Sequence, residues 1–372
     1  LNKMDFKTME IRELTKEIRD NAIERTKPKD LEYLATSWYQ EDLLYSGKGK
    51  SIFLILPTPG CSWALSPSGG CTMCSYIHDC YLKPIETDKI IELFQNQLNR
   101  YLEEIKEDFD NGEKIAIKLF ASGSFFNPEE LPIKARDQIL KIISNIDEIS
   151  EVIVESRPEY ITSTRINEIC EILNGKLFEI SIGLETVNEE TRLEKINKGF
   201  STETFKKAID LIKEAKNEYN IKSKAYIFVK PILVSESEAI KEAIDTTYFV
   251  EEIGVDRISC CPATIHKGTV IERLWRRGSY QPPWIWSTVK IINTIRENVK
   301  IPALMDTSGF GSKRGPYNCK KCNKDLKHKI ISSNLTQTQI HHDCACKKEW
   351  EAEIKFNNLS QSKTNKKHLP LY

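Results

Sequence analysis

The sequence predicts an α/β protein: a partial (β/α)6 TIM-like barrel with an N-terminal helical cap and a small C-terminal Cys-rich, zinc-ribbon-like module. Three observations predict it. From Ser51 to about residue 304, apolar runs of strand length alternate with amphipathic helical stretches, which implies parallel strands joined by right-handed crossovers. Small, charged or cysteine residues stand directly after these runs, where barrel enzymes keep their active-site groups. Two tight cysteine sets flank the alternating region, one after its first strand and one beyond its last.

In chain order, residues 1–45 read as a helical extension. Ile11, Leu14 and Ile18 recur at helical spacing, Pro28 interrupts the pattern, and Leu31, Leu34, Trp38 and Tyr39 form a second short helix. Nothing in this cap is read as carrying chemistry. The barrel spans 46–305, with strands at 51–56, 114–120, 151–155, 178–183, 223–229 and 255–260. A short last strand is possible at 299–304. Helices lie between them at 90–102, 132–146, 162–173, 201–215 and 236–252, and near 285–298. The Cys-rich module is 306–356, and the polar residues 357–372 read as a disordered tail.

The chain has 372 residues, 40% hydrophobic and 29% charged, enough for a large core. Eleven cysteines, seven of them in two tight sets, read as metal sites in a reducing compartment rather than a secreted disulfide framework. The charged N-terminus does not resemble a signal peptide, and no run approaches a membrane span. A cytoplasmic protein without a membrane partner is expected. Net charge is zero, yet residues 313–372 hold 13 Lys and Arg against 5 Asp and Glu. This basic end suits nucleic acid or another acidic partner; a solvated Lys-rich surface is the plain alternative.

Cys61, Cys71 and Cys74 follow the first strand at C-x9-C-x2-C spacing. Three thiolates can hold three irons of a [4Fe–4S] cube and leave the fourth open. Gly60, Gly69 and Gly70 allow tight turns around it. Zinc with Cys80 or His78 as a further ligand is the competing reading. An open-site cluster after the first strand of an α/β chain resembles the radical S-adenosylmethionine (SAM) superfamily. The long first spacing is similar to the tRNA-modifying branch typified by the Elongator catalytic subunit.

The strand ends fit that resemblance. Ser122, Gly123 and Ser124 follow the second strand, and Glu155 and Arg157 the third. Glu185 follows the fourth and Lys230 the fifth. Charged groups at apolar strand ends are costly unless paired or bound to a ligand, and SAM presents both signs. These seven residues are the candidate SAM contacts. Taken singly, a surface salt bridge or helix cap is the commoner reading of each; several in succession at the same barrel face favour the ligand.

From about residue 35 to 350 the chain resembles the archaeosine-biosynthesis radical SAM family. The resemblance rests on the cysteine spacing, Ser122-Gly123-Ser124-Phe125, Glu155-Ser156-Arg157-Pro158-Glu159, Gly183-Leu184-Glu185-Thr186, Asn197-Lys198-Gly199-Phe200-Ser201 and Lys230-Pro231. The segments Gly268–Arg277, Tyr280–Ser287 and Gly311–Cys319 are its more particular marks. Ser122-Gly123-Ser124 stands where many superfamily members have Gly-Gly-Glu. The resemblance implies an enzyme that uses a 5′-deoxyadenosyl radical to cleave the lysine C–N bond of a lysine-bearing 7-deazaguanine in tRNA. It implies three partners: tRNA, the lysine-attaching archaeosine synthase subunit and a reductant protein. Another tRNA modifier of the Elongator-like group, or a non-catalytic RNA-binding zinc protein, are the alternatives. No residue is assigned as a catalytic acid or base.

Two further sets complete the reading. Arg273, Arg276, Arg277, Tyr280, Trp284, Lys313 and Arg314 are candidate tRNA contacts, because Arg grips phosphate and aromatics stack on bases. Ordinary packing of Trp284 and Trp286 is the alternative. Cys319, Cys322, Cys344 and Cys346 are read as zinc ligands, with an auxiliary Fe–S cluster as the alternative and His341 and His342 as spare ligands. Cys80, Cys170, Cys260 and Cys261 are read as free thiols.

Overall fold

The computed structural model describes residues 10–27 and 29–363; Pro28 and the ends of the chain lie outside them. One eight-stranded sheet runs in sequential order. Its strands are β1 (Ser37–Leu44), β2 (Gly47–Ile55), β3 (Ile115–Phe120), β4 (Ile149–Glu155), β5 (Leu177–Glu185), β6 (Ile221–Val229), β7 (Arg257–Pro262) and β8 (Ala303–Met305). The helices are α1 (Ile11–Glu24), α2 (Leu31–Leu34), α3 (Ser62–Leu65), α4 (Thr87–Glu104), α5 (Lys106–Asp110), α6 (Ile133–Ser144) and α7 (Ser163–Leu173). They continue with α8 (Thr202–Ala215), α9 (Glu236–Glu252), α10 (Val270–Arg276), α11 (Ile285–Asn298), α12 (Asn323–Thr336) and α13 (Lys347–Lys363). Strands β2 to β8 are all parallel, so the expected α/β half-barrel is present. Ile52, Leu54, Ile117, Leu119, Val152, Val154, Ile180 and Ile182 point outward and are buried beneath the helices. No described helix is long and apolar enough to cross a membrane.

The N-terminal cap differs from the expectation. Trp38 and Tyr39 lie in β1, which pairs antiparallel with β2 in the register Trp38↔Phe53 and Asp42↔Gly49. Trp38 stacks on Phe53 with ring centroids 4.6 Å apart. The opposite end of the chain also departs from its reading: α13 continues through residues 357–363, and residues 364–372 of the expected tail lie outside the described residues.

The barrel interior explains charges that sit oddly within strands. Lys118 on β3 pairs with Asp42 on β1 at 2.5 Å. Lys224 on β6 pairs with Glu179 on β5 at 2.7 Å, and Arg257 on β7 stands 3.7 Å from the same carboxylate. All of these side chains except Asp42 are under a tenth exposed. A buried charge persists only when paired, so β1 contributes the anion that Lys118 requires.

The open edge of the sheet is closed by side chains rather than by a strand. Asn334 of α12 accepts from the Met305 N–H at 3.0 Å and donates to the Met305 carbonyl at 2.9 Å. Gln337 accepts from the Ala303 N–H, and Arg296 donates to the Ala303 carbonyl. The free edge of β8 is thereby satisfied. Helix α12 also contacts β1, so it spans the gap between the two ends of the sheet.

Burial raises the Glu179 carboxyl, but Lys224, Arg257 and Lys118 outweigh it and bring it to about 2. Its ordinary value is 4.5, so its stabilising contribution is present above pH 4.5 and is lost as pH falls towards 2. Glu179→Gln should therefore flatten the acid arm of the stability profile by up to about one proton. Urea midpoints measured for both proteins across that interval test this; parallel acid arms would contradict it.

Candidate active site

Residues 56–80 form the long loop after β2, and other segments fasten it at each turn. Thr58 donates to the Ala121 carbonyl at 2.8 Å. Glu130 accepts from the Ser62 N–H at 2.9 Å and its hydroxyl at 2.7 Å, and from the Ser124 N–H with its other oxygen. That single buried carboxylate joins Cys61 to the loop after β3. Gly123 is required there: a Cβ would stand 1.9 Å from Glu130 and 3.3 Å from the Cys61 Cα.

The second half of the loop is held from below. Asn197 donates to the carbonyls of Ser68 at 2.9 Å and Gly70 at 2.7 Å, and its own carbonyl accepts from the Trp63 indole. The Thr72 amide donates to Ile196 and its hydroxyl to Lys195, while its carbonyl accepts from the Ile271 N–H. Arg19 of α1 donates to the carbonyls of Gly69 and Cys74. Cys61, Cys71 and Cys74 are each partly exposed and none forms a disulfide. Burial pushes the Cys61 thiol up to about 12 and raises that of Cys71, with Lys198 and Arg157 opposing at Cys71. Such thiols remain protonated until a metal displaces the proton. Three cysteines on one glycine-rich loop, beside two cations, fit an iron–sulfur cube with one iron unclaimed by protein.

Charged groups of both signs surround this loop. Glu185 follows a bulge in β5 and has φ +70°, and its carboxylate meets the Lys198 ammonium at 2.5 Å. The bulge re-aims the side chain. Burial alone lowers the Lys198 pKa, but Glu185 and Cys71 raise it above its usual value. The Arg157 guanidinium lies 5.1 Å from the Trp63 ring centroid and 5.3 Å from that of Phe200, and donates to the Lys198 carbonyl at 2.9 Å. Burial raises the Glu155 carboxyl, while a hydrogen bond with Tyr226 and the charges of Lys224 and Lys198 oppose the rise.

The structure therefore brings together Gly123, Glu155, Arg157 and Glu185 beside the cysteine loop. Ser122 has φ +49° at the end of β3. Ser124 is fully buried and accepts from the Arg157 N–H, so it braces the site. Lys230 does not join them: its ammonium lies 2.5 Å from Glu236 and its carbonyl accepts from the Tyr280 hydroxyl. Lys198, Asn197, Glu130 and Arg19 were missed as site residues. Only Asn197 and Lys198 had a signal, through their motif; Glu130 and Arg19 had none.

The C-terminal cysteines converge. Cys319, Cys322, Cys344 and Cys346 place their sulfurs within 4.8 Å of one another. Neighbouring sulfurs are 3.4 Å apart for Cys319–Cys322 and 3.6 Å for Cys319–Cys344 and Cys322–Cys346. These four can hold one metal ion. The Trp286 indole donates to the Cys346 sulfur at 3.3 Å, so Trp286 is core. His342 instead lies 3.0 Å from Asp325.

The basic segment divides into exposed and internal residues. Arg276 is 61% exposed although it reaches Glu272, and Arg277 and Lys313 are also exposed. Arg273 pairs with Glu17 at 3.2 Å, and Arg314 pairs with Glu272 at 2.8 Å over the Trp275 ring. Two readings need correction. Tyr280 is 5% exposed and hydrogen-bonded to Lys230, so it cannot stack on a base. Trp284 packs against the main core and donates to Glu353 at 2.7 Å.

Residues 55–231 match the radical SAM superfamily. An uncharacterised protein of Methanocaldococcus jannaschii is 40% identical over 93% of this chain and 94% of its own length. The archaeosine synthase subunit beta of Methanosarcina acetivorans is 32% identical over 90% of this chain and 94% of its own length. That of Thermococcus kodakarensis is 35% identical over 76% of this chain and 84% of its own.

Asn197→Ala leaves two buried carbonyls without donors and puts alanine at φ +58°. The expected loss is about 2–4 kcal/mol, read as a lower unfolding midpoint. Faster alkylation of Cys71 in the metal-free protein should accompany it. An unchanged labelling rate would show that Asn197 does not set the loop.

Proposed function

The chain belongs to the archaeosine synthase subunit beta family within the radical SAM superfamily, and on that footing we propose that it completes archaeosine formation in tRNA. The proposed reaction cleaves the lysine C–N bond of a lysine-adducted 7-deazaguanine and leaves a formamidine. The observation that carries the reading is the Cys61–Cys74 loop, with its three thiols, set among charges of both signs at the mouth of the half-barrel. When bound, the cluster and SAM would supply a 5′-deoxyadenosyl radical to take a hydrogen atom from the lysine carbon attached to nitrogen; the electron then released would return to the oxidised cluster, and water would split the C–N bond into an aldehyde and the formamidine.

The chain's own residues hold, orient and exclude. Cys61, Cys71 and Cys74 would bind the cube. Arg157 and Lys198 offer cations to the carboxylate of SAM; Glu155 and Glu185 offer anions to its ammonium. Phe200, Trp63 and Tyr226 border the same mouth and limit the access of water. Exposed Arg276, Arg277 and Lys313 suit the phosphates of tRNA. The partner in this reading is the subunit that attaches the lysine, and a reductant protein supplies the electron.

Supplied with lysine-modified tRNA, SAM and a reductant under anaerobic conditions, the protein should release a lysine-derived aldehyde in step with 5′-deoxyadenosine. Nucleoside mass spectrometry reads the product. 5′-Deoxyadenosine formed with the lysine adduct intact, in the presence of the partner, would defeat this substrate and favour another tRNA-modifying radical SAM activity.

At the C-terminal site we infer zinc. Sulfurs around tetrahedral zinc stand about 3.8 Å apart, given bonds of about 2.3 Å, and the spacings of 3.4–3.6 Å suit one ion rather than a cube. A protein with Cys61, Cys71 and Cys74 all changed to Ala should retain about one zinc and little iron. About four irons per chain in that variant would mean an auxiliary cluster instead.

A further inference from the structure

Arg19 lies on α1, outside the barrel, yet it is only 2% exposed. Nε donates to the Gly69 carbonyl at 2.9 Å and Nη2 to the Cys74 carbonyl at 2.7 Å. One planar fork thus brackets the segment that carries Cys71 and Cys74. The helix reaches this depth because Gly69 has no side chain: a Cβ there would stand 2.6 Å from the Lys16 backbone nitrogen and Cα. The rest of α1 is pinned to the same surroundings. Arg12 donates to the Ser68 hydroxyl at 3.1 Å, Glu17 pairs with Arg273, and Leu14 packs among Ile196, Ile271 and Tyr280.

Two features of Arg19 have no account in a loop of neutral thiols. Nη1 is buried without a hydrogen-bond partner. The bonded nitrogens both meet neutral carbonyls, and among the described residues no carboxylate forms an ion pair with this guanidinium. A buried cation without a counter-charge is strongly disfavoured. Three thiolates around an oxidised cube leave a net negative charge, and reduction adds another. The missing counter-charge and the cysteines that would generate it therefore belong to one loop.

We propose that Arg19 is a positioning residue for the iron–sulfur cluster: its fork fixes the Gly69–Cys74 segment, and its charge offsets that of the thiolate-bound cluster. The proposal rests on the reading of Cys61, Cys71 and Cys74 as cluster ligands. A cation beside the cluster favours the reduced state, because reduction places one more electron next to it. Removal of the charge should make reduction harder. Removal of the fork alone should weaken cluster retention and leave the potential largely in place.

The test uses the full chain, reconstituted anaerobically as wild type, Arg19→Met and Arg19→Lys. Iron content and an EPR-monitored redox titration are the readouts. Melting and the metal content of the C-terminal site control for folding. Arg19→Met should hold less than half the wild-type iron. The clusters it retains should show a tenfold less favourable reduction equilibrium, about 59 mV more negative for one electron. Arg19→Lys, which keeps the charge and loses the fork, should retain an intermediate amount of iron at a near-wild-type potential. Full loading of Arg19→Met, or an unchanged potential in it, overturns the proposal. Should Arg19→Met fail the folding control, Arg19→Lys decides: full loading overturns the proposal, and reduced loading at the wild-type potential upholds it. Wild-type protein that takes up no iron would overturn the cluster reading itself.

Discussion

A loop with little regular structure cannot hold three sulfurs in fixed relation by its own backbone. Residues 56–80 contain only the single turn of α3 and a short helical turn at Tyr76–Asp79. Their carbonyls and amides therefore find partners elsewhere, as buried backbone groups must. Asn197 and Lys195 come from beyond β5, Glu130 from beyond β3, Ile271 from α10 and Arg19 from α1. Each donor or acceptor lies far away in sequence, so the loop acquires its shape only once the barrel has assembled. The glycines follow from the same constraint. Gly69, Gly70 and Gly123 each let a neighbouring backbone or carboxylate approach where a Cβ would collide.

The second dependence is closure of the sheet. An eight-stranded half-barrel leaves two edges, at β1 and β8, and an open side between them, and β1 and α12 deal with these together. Asp42 of β1 gives Lys118 its counter-ion inside the barrel, and α12 covers β8 with amide side chains in place of a further strand. Helix α12 begins immediately after Cys322 and the last helix follows Cys346. A metal held by the four cysteines would thus tie the barrel's side wall to its outer layer. Trp286 carries the same connection inward, from α11 to the Cys346 sulfur.

Much of this was legible in the sequence, and the misses share a physical origin. The strand–helix alternation was readable because β2 to β7 bury apolar residues under helices. The cysteine spacings were readable because ligand sets recur locally. β1 was not, since Asp42 turns inward to Lys118, and an alternating pattern with polar residues on both faces gives no periodic signal. Glu130 and Arg19 look like ordinary surface charges on a helix or in a turn. Only tertiary contact reveals that both are buried, at 1% and 2% exposure. Tyr280 misled in the opposite direction: an aromatic among arginines resembles an RNA-binding surface until its hydroxyl is seen to reach the Lys230 carbonyl.

The charges at the strand ends separate by depth, and the separation explains why their roles differ. Deep in the barrel, Asp42, Lys118, Glu179, Lys224 and Arg257 pair among themselves, and burial holds them there for stability. At the mouth the balance is incomplete. Glu185 has Lys198, but among the described residues Glu155 is met by the phenol of Tyr226 and the field of more distant lysines, and its carboxyl is raised by burial. Arg157 is flanked by two aromatic rings and a carboxylate two residues along its own chain. Backbone strain follows the same boundary, since Ser122, Glu185 and Lys230 take positive φ where β3, β5 and β6 end. Strain and incompletely matched charge are tolerated only where something else compensates them. A zwitterionic ligand lying there would set its ammonium against Glu155, which is the electrostatic reason to seek SAM at this end of the barrel.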